Sequence, residues 1–343
     1  MILAKPLAPF IWRSRHEFEV MSLKVMVIPG LTLAKVPDEA LQRMRDAVGG
    51  DGEVFVCNHN EAADHAADVD IILGIVSPKL FAAAPKLRWV QSISSGVDSF
   101  MYPEFINSPV VLTSEKGLVG EHLADHGFGL LLMLTRQLAA AHDLGSDSWN
   151  HRPELRIQEL ELTGLNLGII GFGGTGRAMA KRAAAFGLNI RAIDCDPVPN
   201  SPAVEKVETP NELTDMLGWT DIVAICCPLT EQTNKLLNEN TLAQLKPGAF
   251  VINVTRGEVI DEDALVAALK SGHVRGAGLD VAPREPLPAD SELWNLPNVV
   301  MTPHTAGASQ YRAQRNLDRF IDNLGRFARE ETLAGIIDKT AGY

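Results

Sequence analysis

Cysteine is scarce in this chain of 343 residues, with four in all: Cys57, Cys195, Cys226 and Cys227. None forms a C-x-x-C pair and two are adjacent, which argues against both a zinc ribbon and a disulfide framework. Buried, reduced thiols in a cytoplasmic protein are the plain reading. Long hydrophobic runs are missing as well. The longest, Gly127 to Leu134, falls far short of the ~18 apolar residues of a membrane span. Nor is there an excess of positive charge: 31 basic residues face 43 acidic ones, for a net charge of -12. A general nucleic-acid binder needs a basic face for phosphate, so that class is set aside. A local basic pocket for a small anion is still compatible. No periodic self-similarity or low-complexity segment is present, which excludes a solenoid.

What is present suits a packed core. Hydrophobic residues make up 46% and charged residues 22%, a balance unlike that of disordered or coiled-coil chains. The length fits about two domains of roughly 100–200 residues each. Residues 1–20 stand apart, with two prolines (Pro6, Pro9) and mixed charges. They lack the clean apolar stretch and small-residue cleavage site of a secretory signal. They read as an N-terminal extension, or the product of an upstream start codon, in preference to a targeting peptide.

From Leu23 the pattern alternates strand and helix. Strands are expected at Leu23–Ile28, Glu53–Cys57, Asp70–Gly74, Leu87–Ser92 and Val110–Leu112, with helices at Val36–Val48 and Glu61–Ala67. Strands separated by helices imply parallel pairing through crossovers. A long helix, about Val119 to His142, follows, and then a polar arm from Leu144 to Leu160. A second α/β unit begins at Leu165. Its strands are expected at Leu167–Ile170, Asn189–Ile193, Ile222–Cys226, Ala249–Asn253, Gly276–Leu279 and Val299–Thr302. The last helix spans about Ala308 to Arg329. The fold class is therefore α/β: two Rossmann-like or flavodoxin-like domains with parallel sheets and a cleft between them. Residues 21–118 plus 307–343 would form one domain, and residues 119–306 would be inserted as the other.

The strongest local motif is Gly171-Phe172-Gly173-Gly174-Thr175-Gly176, which follows an apolar strand and opens a helix. Its glycines allow a tight turn, close approach of a pyrophosphate and close helix–strand packing. The helix N-terminus offers free N–H groups and a positive dipole. Asp194 follows the next strand and can accept hydrogen bonds from both ribose hydroxyls. Its charge would repel a 2′-phosphate, so NAD is favoured over NADP. A second constellation is spread along the chain. Arg256, Glu285 and His304 all follow the C-terminal ends of strands in one parallel sheet, where ligands bind in open α/β folds. Arg256 can hold a carboxylate with two hydrogen bonds. His304 can give or take the proton of a carbinol oxygen, and Glu285 can orient the imidazole and stabilise its charged form. The small-residue turn Ser95-Gly96-Val97 can form an anion-binding nest. His122 and His126, four apart on the long helix beside Glu121, have zinc-compatible spacing. They lack a further ligand cluster, so no metal is expected.

With these residues in place, the sequence resembles the D-isomer-specific 2-hydroxyacid dehydrogenases over nearly all of Leu23 to Arg329. The resemblance rests on Gly171–Gly176 with Asp194, on Cys227-Pro228-Leu229-Thr230, on Val251–Leu265 around Arg256, and on Gly276–Gly307 with Gly278-Leu279-Asp280-Val281 and Pro303-His304. It implies Arg256, Glu285 and His304 as the catalytic triad. It also implies cofactor contacts from Gly174, Thr175, Asp194, Pro228, Thr255 and Asp280, with Asp280 near the nicotinamide carboxamide. The Ser95–Val97 backbone would hold the substrate carboxylate, and the arm would form a homodimer. Three positions depart from the family pattern: Cys226 where histidine is common, Ala282-Pro283 in place of an aromatic–acid pair, and Thr175 in the glycine turn. The implied activity is interconversion of a 2-oxo acid and a D-2-hydroxy acid with NAD. Formate oxidation needs no proton transfer, so Glu285 argues against it. A phosphoglycerate dehydrogenase and a dinucleotide-sensing corepressor of the same fold stay open as alternatives.

Overall fold

The computed structural model describes residues 22–204 and 206–343; the N-terminal extension expected at 1–20 lies outside them. The first unit runs β1 (Lys24–Val27), α1 (Asp38–Val48), β2 (Glu53–Val56), β3 (Ile71–Leu73), α2 (Pro78–Ala83), β4 (Trp89–Gln91), α3 (Pro103–Ile106) and β5 (Val111–Thr113). The segment expected as a helix at Glu61–Ala67 is a single 3₁₀ turn, Ala62–His65. The five strands form one sheet in the order β2-β1-β3-β4-β5, and every pairing is parallel. They are nearly all apolar because both faces are covered: Val25, Met26, Val27, Ile71, Ile72 and Leu73 are fully buried.

Three helices link this unit to the next: α4 (Gly120–Thr135), α5 (Leu138–Leu144) and α6 (Arg152–Gln158). The single long helix expected over Val119–His142 is therefore broken. Gln137 takes a left-handed conformation (φ 52°), its side-chain amide donates to the Leu134 carbonyl, and the Leu160 amide donates to that of Thr135. The break is made by these bonds, with no glycine or proline to announce it. The helices of the arm bury no residue.

The second unit contains β6 (Asn166–Ile170), α7 (Gly174–Ala185), β7 (Asn189–Ile193), β8 (Val207–Glu208), α8 (Leu213–Trp219), β9 (Ile222–Ile225), α9 (Glu239–Leu242), β10 (Ala249–Asn253), α10 (Glu262–Lys270), β11 (Val274–Leu279) and β12 (Val299–Met301). Its seven strands are ordered β12-β11-β10-β9-β6-β7-β8, again all parallel. The order reverses direction between β6 and β9. In such sheets that switch point opens a crevice at the carboxyl ends of the strands.

The final helix, α11 (Arg312–Ala328), returns to the first unit. Its Leu317, Phe320 and Leu324 are buried, and Phe320 and Phe327 lie 5.2 and 5.5 Å from the Trp89 ring of β4. Trp89 satisfies its own indole N–H on Thr113 Oγ1 at 2.8 Å, so the aromatic stack leaves no orphan donor. The chain crosses between the units twice, and both crossings meet at Arg312. Its guanidinium holds the fully buried Glu115 carboxylate at 2.6 Å and donates to the Gly307 carbonyl at 2.8 Å.

Candidate active site

The glycine turn sits at the switch point. Gly171 has φ 92°, and a Cβ there would meet the Cys227 backbone nitrogen at 2.6 Å. A Cβ on Gly176 would stand 2.1 Å from the Gly171 carbonyl oxygen, so α7 can approach β6 only with glycine at that position. Gly173 has open space around its Cα and is exposed. This cradle fits a dinucleotide: backbone amides at a helix N-terminus, one face kept free of side chains. Asp194 closes it. Its Oδ2 accepts the Phe172 amide of the turn at 2.6 Å and its Oδ1 the Asp196 amide at 3.0 Å. Pro228 lies exposed beyond the end of β9, with its carbonyl accepting the Thr233 hydroxyl.

Cys226 and Cys227 line the neighbouring strand end. Both are buried, and burial pushes their thiols up, that of Cys227 to about 12. Neither is poised as a thiolate. Cys195 departs from the expectation of buried thiols: it is exposed, beside Asp194, and in hydrogen-bond contact with the Tyr343 hydroxyl at 3.3 Å.

Arg256 follows β10. Asn253, fully buried, ties that corner: its Nδ2 donates to the Arg256 carbonyl at 2.8 Å and its Oδ1 accepts the Thr255 amide at 3.1 Å. The Arg256 side chain crosses to the first unit. Its Nε donates to Asp98 at 3.0 Å, and the guanidinium packs on Gly96 so closely that a Cβ there would be 1.5 Å from Nη2. The turn Ser95-Gly96-Val97 and Arg256 therefore form one cradle. Among the described residues, the amides of those three donate to no protein acceptor, which leaves them free for an anion.

Glu285 and His304 meet directly, His304 Nδ1 to Glu285 Oε2 at 2.7 Å. Glu285 Oε1 also accepts the Ala282 amide, which fixes the carboxylate. The loop carrying it passes over Gly257, where a Cβ would stand 2.0 Å from the Ala282 carbonyl carbon. That close approach brings the Glu285 loop against the Arg256 corner. With Nδ1 engaged by Glu285, Nε2 is the His304 ring nitrogen left to give or take a proton.

Asp280, expected near the nicotinamide carboxamide, follows β11 beside the His304 loop. It is 1% exposed, and its carboxylate is turned into the protein. It accepts the amides of Thr305 and Ala306 at 2.9 and 2.8 Å and the Thr302 hydroxyl at 2.6 Å. His126, weighed earlier only as a zinc ligand, bonds Thr302. Among the described residues, the one group of three metal-ligating side chains within reach of a common ion is Asp194-Cys195-Asp196, with Asp194 half-buried and the other two exposed, and it includes neither histidine. Sequence reasoning missed Asp98 and Asn253. Asp98 directly follows the turn Ser95-Gly96-Val97, but nothing local marks its contact with a residue 158 positions away.

Fold and site together define a dinucleotide-dependent dehydrogenase of two α/β units. The family model for the D-isomer specific 2-hydroxyacid dehydrogenase NAD-binding domain matches residues 128–306. A glyoxylate reductase of Korarchaeum cryptofilum is 31% identical over 321 residues, spanning 91% of this chain and 94% of that protein. A D-isomer specific 2-hydroxyacid dehydrogenase of Xanthobacter autotrophicus Py2, solved with NADPH and MES, superposes with a TM-score of 0.78. It is 27% identical and covers 93% of this chain and 99% of that one. The NAD-dependent formate dehydrogenase of Staphylococcus aureus shares the fold, with a TM-score of 0.73 at 23% identity over 92% of this chain and 99% of that one. The chain belongs to the D-isomer specific 2-hydroxyacid dehydrogenases.

Proposed function

We propose that this dehydrogenase reduces a small 2-oxo acid to a D-2-hydroxy acid with NADH, and catalyses the reverse reaction. The observation that carries the reading is the pairing of an anion cradle with an acid–base pair at one sheet edge: Arg256 against Ser95–Val97, and His304 on Glu285. NADH, held by Gly171, Gly173, Gly174, Thr175, Gly176, Asp194, Pro228 and Thr255, supplies the hydride when bound. Arg256 and the Ser95–Val97 amides hold the substrate carboxylate. Protonated His304 gives its Nε2 proton to the carbonyl oxygen, and Glu285 stabilises the charged ring beforehand. In the reverse direction neutral His304 takes that proton.

The Asp194 carboxylate at the ribose position supports NAD over NADP. A glyoxylate reductase among the relatives supports a short 2-oxo acid. Residues 21–118 with 307–343 serve as the substrate domain and 119–306 as the cofactor domain, a division supported by the docking of α11 on β4. The exposed Trp149 and Ile157 of the arm support a homodimer. No helix of the described residues is long and apolar enough to cross a membrane, and three buried free thiols support a cytoplasmic setting. The test is His304→Ala, assayed by NADH oxidation with a 2-oxo acid. It should lower kcat by ~10²–10⁴, the usual worth of acid–base help, with NADH binding retained. A near-normal kcat would overturn the assignment.

A further inference from the structure

His304 sits on a strained loop. It has φ 53°, a left-handed conformation that is unfavourable for a residue with a side chain. Such a conformation persists only where the surroundings enforce it. Here the enforcing group is Asp280. Three successive amides converge on it: His304 N–H donates to its backbone carbonyl at 2.7 Å, Thr305 N–H to Oδ1 at 2.9 Å and Ala306 N–H to Oδ2 at 2.8 Å. A buried carboxylate carrying this duty needs its remaining capacity filled and its position fixed.

The filling comes from Thr302 and, behind it, from α4. Both carboxylate oxygens already accept N–H bonds. The hydrogen in the 2.6 Å contact between Thr302 Oγ1 and Asp280 Oδ1 must then be the hydroxyl proton. With its one proton spent there, Thr302 can only accept from His126 Nε2, which lies 2.7 Å from Oγ1. His126 Nε2 is therefore a donor. It also stands 3.4 Å from Asp280 Oδ1, and among the described residues it is the one basic side chain within ion-pair distance of that carboxylate. The chain of donors runs one way: His126 to Thr302, Thr302 to Asp280, with the loop amides closing on Asp280 from the other side.

We infer that His126 is a positioning residue for the reduction. Through Thr302 and Asp280 it holds the left-handed turn that aims His304 at the substrate. This rests on the reading of His304 as the acid, so the test separates the two. His126→Ala should lower kcat by about 10- to 100-fold, the scale of a small misalignment at a reacting centre, with KM and the Kd for NADH within about threefold. Gln places an amide N–H near the reach of Nε2, so His126→Gln should recover kcat to within about threefold of wild type. Thr302→Val should match His126→Ala, and the double variant should be no worse than either, because both cut one chain. In the protein without cofactor or substrate, hydrogen exchange at the amides of residues 304–306 should be at least about tenfold faster in His126→Ala. Wild type and His304→Ala are run alongside. A silent His304→Ala would overturn the function reading, leaving the exchange result to judge the clamp. A His126→Ala enzyme with normal kcat and unchanged exchange would overturn the inference, and so would a His126→Gln enzyme as slow as the alanine variant.

Discussion

Arg256, Glu285 and His304 are three residue types with no catalytic meaning alone; the proposed triad rests on their positions just after strand ends. That much was legible because a parallel sheet places all such corners at one edge. The groups that aim them were not legible. Asp98 and His126 act through bonds whose partners lie far along the chain, and a spacing pattern carries no trace of that; Asn253 ties only its own corner, through bonds two and three residues away. Asp280 was found by its motif, but its bonds to the His304 loop were not foreseen. At this scale the cofactor preference is testable. Asp194 binds the glycine turn, and in the proposed reading its charge faces the ribose 2′ position. Asp194→Ser should narrow the NADH-over-NADPH ratio in kcat/KM by about tenfold or more, where tenfold is about 1.4 kcal/mol. An unchanged ratio would remove Asp194 from the ribose site.

Elements were legible where hydrophobic runs were long and glycine or proline marked their ends. The strands β6, β7, β9 and β10 fall within a residue or so of expectation, since buried parallel strands read as continuous apolar runs. The two-residue β8 escaped, being too short and half-exposed to carry a pattern. The break after Thr135 escaped because tertiary hydrogen bonds make it. The β6–α7 junction is the element on which the proposed cofactor binding turns. In Gly176→Val the side chain would have to displace the Gly171 backbone, which no rotamer change can relieve. The variant should lose about 1–3 kcal/mol of stability, the usual cost of forced overpacking, and bind NADH at least about tenfold more weakly by fluorescence titration. Full-strength binding would mean that the turn does not hold the pyrophosphate.

At the scale of the whole molecule, the two units are joined at Glu115 and Arg312, which bind each other and Gly307 where the chain crosses. Burial pushes the Glu115 carboxyl above its ordinary value, against the pull of Arg312. A raised folded-state pKa means that the folded protein binds the proton more tightly than the unfolded chain. The group thus adds nothing below the ordinary carboxylate range and weighs against folding as pH rises through it. Arg312→Met removes the opposing pull and strands a buried charge, at a cost of about 3–5 kcal/mol near neutral pH. The Tm deficit of this variant should shrink from pH 8 to pH 5, as Glu115 takes up a proton. A deficit constant with pH would mean that the pair does not carry the crossing. Gly96 packs on Arg256, so the proposed site draws residues from both units, and the proposed catalysis would belong to the molecule rather than to either half. That claim is tested most directly by following NADH oxidation against glyoxylate, hydroxypyruvate, pyruvate, phenylpyruvate and 3-phosphohydroxypyruvate. Rapid turnover of glyoxylate or hydroxypyruvate is the predicted result. Tight NADH binding with no turnover of any of the five would contradict it and leave a dinucleotide sensor as the better account.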